Sequence, residues 1–197
     1  MPRVHFSESS CPSDRGHFIN RADICVVLSR LPNELWQRLR AVHFNDRGFG
    51  VRRLGYVAGG RREITLCALP QRLGLSAFCR WNALSPSEFG AQWGAKSPAI
   101  AVRRFMLYEV FLHEIGHLQA TDRPGRPSQR LRFDGERRAE EFAVTWRRRL
   151  WSEYFEHPDA AHNPPPTIAP PRLQGSDCTT KAEPVLDRHT DSSTQIT

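Results

Sequence analysis

No apolar run in these 197 residues approaches the roughly 20 consecutive apolar positions that a membrane-spanning helix needs, so a helical membrane protein is not expected, nor is a membrane partner. The run from Ile24 to Leu28 is also too short for the core of a secretion signal. Cysteine is sparse and unpatterned. Cys11, Cys25, Cys67, Cys79 and Cys178 are an odd set without CxxC spacing, so neither a disulfide framework nor a cysteine zinc knuckle is indicated, and a reducing cytoplasm is the expected setting. Acidic residues are also in deficit, 21 against 28 Lys and Arg, for a formal charge of +7. The excess is mostly arginine, in the clusters Arg52-Arg53, Arg61-Arg62, Arg103-Arg104, Arg137-Arg138 and Arg147-Arg148-Arg149. Such charge could steer the chain toward nucleic acid. No helix-turn-helix, RRM-like or aromatic-platform signature accompanies it, and on the expected helices the arginines fall mainly opposite the apolar stripes. A solvated face is the ordinary explanation, so nucleic acid is a disfavoured partner.

What the chain does have is concentrated in Phe111-Leu112-His113-Glu114-Ile115-Gly116-His117-Leu118, an HExxH pattern. On a helix His113 and His117 stand one turn apart on one face, roughly 5 to 6 Å between Cβ atoms, which suits two ligands of one tetrahedral Zn²⁺. Glu114 is turned too far round the helix to ligate comfortably. It can instead take a proton from a metal-activated water. The surroundings favour a helix: Ser97-Pro98 reads as an N-cap followed by proline at the first helical position, and Asp122, Pro124 and Gly125 would end it. Phe105, Met106, Leu107, Val110, Phe111, Leu112, Ile115 and Leu118 make it apolar over much of its circumference, so it is expected inside the protein. Two histidines and a glutamate buried there would be costly unless something satisfied them.

Zinc hydrolases use three protein ligands and keep a fourth position for water. The Gly-x-x-His continuation of metzincins is missing after His117, and no histidine falls between His117 and His157. A second long helix is expected from a cap at Asp134 to about Phe155, because Ala139, Phe142, Ala143, Trp146 and Leu150 recur at three- to four-residue spacing. Extending that stripe backwards places Glu136 and Glu140 on it and Glu141 on the opposite, arginine-rich face. Taken alone, Glu136 could simply favour the positive end of its helix and Glu140 could pair with an arginine. With HExxH upstream, Glu136 is the expected third ligand, and Glu140 the acceptor that orients a ligand histidine.

HExxH followed after 18 residues by Glu-x-x-Ala-Glu-Glu-Phe-Ala resembles the gluzincin metallopeptidases. The run Glu136-x-x-Ala139-x-x-Phe142-Ala143 is particularly similar to the small soluble ImmA/IrrE-type gluzincins and to an integral-membrane group related to the prenyl-protein endopeptidases. The lack of spanning segments separates this chain from the latter. Those families typically carry Asp or Asn where this chain has Glu140. The resemblance extends over roughly residues 50 to 155 in element order and implies a strand along the cleft, here Arg62 to Ala68, whose edge accepts substrate backbone.

The remaining sequence sets the organisation. Residues 1–20 are polar and turn-rich, and are expected to be poorly ordered. Residues 21–156 form one minimal α+β domain, a small β-hairpin or sheet packed on the HExxH helix and the glutamate-bearing helix. Pro32-Asn33-Glu34 opens a helix carrying Leu35, Trp36, Leu39, Val42 and His43, and Gly59-Gly60 joins Val51–Ala58 to Arg62–Ala68 as an antiparallel hairpin. Phe78, Trp81, Phe89 and Trp93, within residues 69–97, are read as packing aromatics or a lid. Residues 157–197, rich in Pro, Ser and Thr, read as a disordered tail whose His162, Cys178 and His189 are incidental. The function expected is that of a cytoplasmic zinc metallopeptidase acting on a protein or peptide, with His113, His117 and Glu136 on the metal and Glu114 as general base. Tyr154 and His157 are candidate oxyanion helpers that their spacing does not select. A basic, zinc-stabilised nucleic-acid- or protein-binding module without hydrolytic activity is the alternative.

Overall fold

The structure is a computed structural model that describes residues 4–46, 53–58, 60–120, 129–152 and 156–166. In chain order, β1 (His5–Glu8), β2 (Arg15–Gly16), α1 (Arg21–Arg30) and the single turn α2 (Asn33–Trp36) lead into β3 (Ala41–Asn45), β4 (Gly55–Ala58), β5 (Glu63–Cys67) and β6 (Leu69–Pro70). A helical half follows, with α3 (Ser76–Trp81), α4 (Ala99–Phe105), a π-helical stretch Met106–Phe111, α5 (Leu112–Ala120) and α6 (Gln129–Ser152). Four strands form one sheet in the order β1-β3-β5-β4, parallel except for the antiparallel β5–β4 pair, while β2 and β6 form a two-residue ladder. The mixed α+β character with a small sheet agrees with the sequence. No helix of the described residues is long and apolar enough to cross a membrane.

The core forms where the sheet meets the helices. Val42, Phe44, Ile64 and Leu66 come from β3 and β5, Ile24, Val27 and Leu28 from α1, and Phe105, Leu107, Phe111, Leu112 and Ile115 from the run through α5. Strand β5 is buried along Ile64, Thr65, Leu66 and Cys67. Burial on both faces is what a central strand requires, and it is why strict alternation fails there.

Several expectations change. Residues 5–20, expected to be poorly ordered, supply β1, β2 and the cap of α1. Asn20 accepts from the backbone N–H of Ala22 and Asp23 while Asp23 accepts from Asn20 N–H, a reciprocal capping box. The helix expected after Pro32 stops at Trp36, and Val42 and His43 lie in β3 instead, because that segment pairs in parallel with both β1 and β5. Strand β5 is therefore internal, and among the described residues the edge next to the HExxH helix is β4, not Arg62–Ala68. The strands of the hairpin pair as expected, with Ala58 opposite Glu63 and left-handed backbone at Gly60 and Arg62; Gly59 lies outside the described residues.

Pro98 itself takes the N-cap position of α4, and the Ser97 hydroxyl accepts from Leu75 N–H at 2.9 Å instead. The breakers Asp122, Pro124 and Gly125 lie outside the described residues. Helix α6 begins at Gln129, so Asp134 is interior to it rather than its cap. Of the aromatics between residues 69 and 97, Phe89 is fully buried and Trp81 and Trp93 are exposed. Finally, residues 156–166 are ordered, with a 3₁₀ turn at Ala160–His162, and both His157 and His162 are buried. Cys178, His189 and Tyr154 lie outside the described residues.

Candidate metal centre

Phe111, Leu112 and Ile115 are completely buried, and they fix α5 with its polar residues turned to one side. The rings of His113 and His117 come together there, centroids 4.6 Å apart at 84°, as residues one turn apart should. Helix α6 crosses α5 at Gly116. A Cβ at that position would lie 2.8 Å from Ala139 Cα, so only glycine permits the approach. Ala139, itself fully buried, is one turn after Glu136. The close crossing thus delivers Glu136 to the histidines, and its Oε2 stands 3.4 Å from Nε2 of both His113 and His117.

That distance is informative. It is long for a charge-assisted hydrogen bond, whose usual length is about 2.8 Å. Two donors each about 2.1 Å from a tetrahedral ion are separated by about 3.4 Å. The donor set is His₂Glu with all three donor atoms within 4.8 Å of one another, and it fits a zinc-class cation with an open position. The Glu136 side chain is 59% exposed, so the centre communicates with solvent.

Electrostatics follow from this packing. Burial disfavours the charged form of His113, but the adjoining Glu136 carboxylate, with Glu114 and Glu109, outweighs it and raises the pKa. His113 and His117 together hold Glu136 well below the usual carboxylate range. Without metal the site therefore favours a proton on the His113 imidazole, and a cation must displace it to bind.

Glu114 is buried, and burial raises its pKa against the opposing influence of His113 and His117. It lies beneath the edge strand: a Cβ at Gly55 of β4 would be 3.2 Å from Glu114 Cγ and Oε1 and 3.0 Å from Val110 Cγ1. The absence of a side chain at Gly55 lets backbone and carboxylate meet. Glu140, expected to orient a ligand histidine, is half-buried one turn beyond Glu136. Glu109, which the sequence did not single out, is a buried carboxylate one turn before His113 whose charge acts on that imidazole. Burial pushes Glu109 up to about 7, opposed by Arg147. A lone carboxylate within so apolar a run was the available signal.

A second group with donor atoms in reach of one another is Asp23, His157 and His162, all buried. His157, a sequence candidate for oxyanion help, belongs to this group rather than to the first. Its donors are already committed. His162 Nε2 faces Asp23 Oδ1 at 3.1 Å, and Asp23 Oδ2 accepts from Asn20 N–H at 2.8 Å. The Asp159 N–H donates to His157 Nδ1, which puts the proton of the neutral ring on Nε2, and the Arg103 guanidinium, paired with Asp159, lies 3.4 Å from His162 Nε2. A cation there would meet a protonated nitrogen and an arginine. The group is a polar clamp that fastens residues 156–166 to α1 and α4.

Comparison with protein-family models, with curated proteins and with solved structures finds no match to this chain, so its functional reading rests on the geometry and chemistry of the site.

Proposed function

We propose that this protein is a zinc metallopeptidase of minimal gluzincin type, acting on protein or peptide substrates, with His113, His117 and Glu136 as metal ligands and Glu114 as general base. The observation that carries the reading is the convergence of Glu136 Oε2, from the next helix in the chain, on both imidazoles at 3.4 Å. When bound, zinc would supply Lewis acidity toward a water and the scissile carbonyl. Glu114 takes the proton of the attacking water and returns it to the leaving amine. Burial suits it to that role, since a carboxylate with a raised pKa is a better base near neutral pH.

The edge position of β4 supports a peptide as substrate. Among the described residues its outer backbone groups have no strand partner in the sheet order β1-β3-β5-β4, and an extended chain added there would run past Gly55 and so past Glu114. Such pairing recognises backbone and leaves sequence preference to the flanking side chains.

The test combines metal content by mass spectrometry with hydrolysis of an unfolded protein substrate. Wild type should carry about one zinc per chain, and His117→Ala and Glu136→Ala should lose it. Glu114→Gln should keep the metal and lose activity by at least about 100-fold. Zinc-free wild type would sink the proposal. Bound zinc without hydrolysis would favour the basic, zinc-stabilised binding module instead, and nucleic-acid affinity falling steeply with salt would identify its partner.

A further inference from the structure

Arg147 belongs to the run Arg147-Arg148-Arg149, which the sequence assigns to a solvated face, yet it is 1% exposed and among the largest fully enclosed side chains of the described residues. Its Nη1 donates to Glu109 Oε2 at 2.6 Å and its Nη2 to Glu88 Oε2 at 2.7 Å. The guanidinium also lies over the Phe89 ring, 4.7 Å from its centroid. Glu88 is held in turn, because its Oε1 accepts from Ser85 N–H and caps the 3₁₀ turn Pro86–Phe89. Three charged side chains from three elements thus form one array. Glu109 contributes from the π-helical stretch, one turn before His113.

A buried array of this kind is a poor source of net stability, since well-packed apolar residues commonly do as well. Its best-attested use is to fix register, and register is what the metal centre needs. Helix α6 approaches α5 most closely at Ala139 opposite Gly116, and its other buried contacts with α5 and the π-helical stretch, through Ala143, Leu150 and Trp151, are apolar and non-directional. A slip by one residue would turn Glu136 through about 100° and carry its carboxylate off the histidines. Arg147 is two turns beyond Ala139, about 12 Å along α6. Its two directed bonds define both the rotation and the height of α6 at that second point.

We propose that the Glu88–Arg147–Glu109 array is the positioning device that holds α6 in register with the HExxH helix. The inference rests on the metal-centre reading above.

The test compares wild type, Glu109→Gln and the double variant Glu109→Met with Arg147→Met. Three quantities are read: zinc affinity by competition with a chromophoric chelator, the visible spectrum of the cobalt-substituted protein, and melting of the metal-free protein. Glu109→Gln should weaken zinc binding by about 10- to 100-fold and alter the cobalt spectrum. The double variant removes the opposed charges together, so it guards against a Glu109→Gln protein that fails to fold; it should show the same loss in affinity. An array that only stabilised the fold would lower melting and leave affinity and spectrum unchanged, which would overturn the proposal. Wild type that binds no zinc would instead bring down the metal-centre reading itself, and the two failures are told apart by the wild-type measurement alone.

Discussion

Gly55 has no chemistry of its own, yet it decides how closely the edge strand approaches Glu114. A side chain there meets Val110 Cγ1 at 3.0 Å and the Glu114 carboxylate at 3.2 Å, and neither can retreat far, because both are buried. Gly55→Val should therefore cost about 1–3 kcal/mol of stability by overpacking and, on the proposed mechanism, reduce hydrolysis by displacing Glu114, while zinc content stays at the wild-type level. Urea unfolding, metal analysis and turnover on one preparation separate these effects; unchanged turnover would remove Glu114 from the contact. The residues legible in the sequence were those whose chemistry is local, His113, Glu114 and His117, because four-residue helical spacing alone sets their relation. Glu136 could be reached only through the apolar stripe of its own helix. Glu109 and Arg147 were not legible as a pair, since their partnership depends on two helices crossing, and arginine next to arginine reads as solvent-facing.

Between elements, the decisive contact is α5 on α6. Gly116 has the helix propensity penalty of any interior glycine, and the approach of Ala139 Cα gives its reason. Gly116→Val forces the helices apart, so it should weaken zinc binding by more than 10-fold, on the order of 1.4 kcal/mol, while His113 and His117 keep their spacing on α5. Chelator competition measures this directly. Wild-type affinity in that variant would mean that the crossing does not place the third ligand. The helices were easier to anticipate than the strands. The run from α4 to α5 reads as one helix and is one helical column with a π-helical middle. The segment carrying Leu35, Trp36, Leu39, Val42 and His43 also fits helical spacing, yet Val42 and His43 are in β3 because neighbouring strands on both sides claim that backbone. Periodicity cannot register a partner strand from elsewhere in the chain.

Across the whole molecule, residues 156–166 close the fold by fastening its later end to α1 through Asp23, Arg103, His157 and His162. Proline content made this stretch look like a tail, and only the opposite end of the chain supplies the buried Asp23 that orders it. The clamp gives stability a pH dependence with a definite sign. Burial lowers the pKa of His157, helped by neighbouring His162, from the ordinary value of 6.5. The unfolded chain thus takes up a proton that the folded chain resists, so the stability present above 6.5 is lost as pH falls through that value, until the folded form also protonates. Asp23 acts lower down. Its pKa is reduced from 3.8, because the hydrogen bonds from His162 and Asn20 overcome burial, and its contribution survives until the carboxylate itself protonates. His17 is also lowered and His113 raised, and both would distort a simple comparison of pH values. Their effects cancel in the difference between wild type and His157→Gln, a variant that cannot titrate at that position. Urea unfolding of the two proteins from pH 8 to pH 5 should show a wild-type advantage that is constant at the upper end and shrinks below about 6.5. A difference independent of pH would mean that His157 is not held neutral by the clamp, and that residues 156–166 are secured by packing alone.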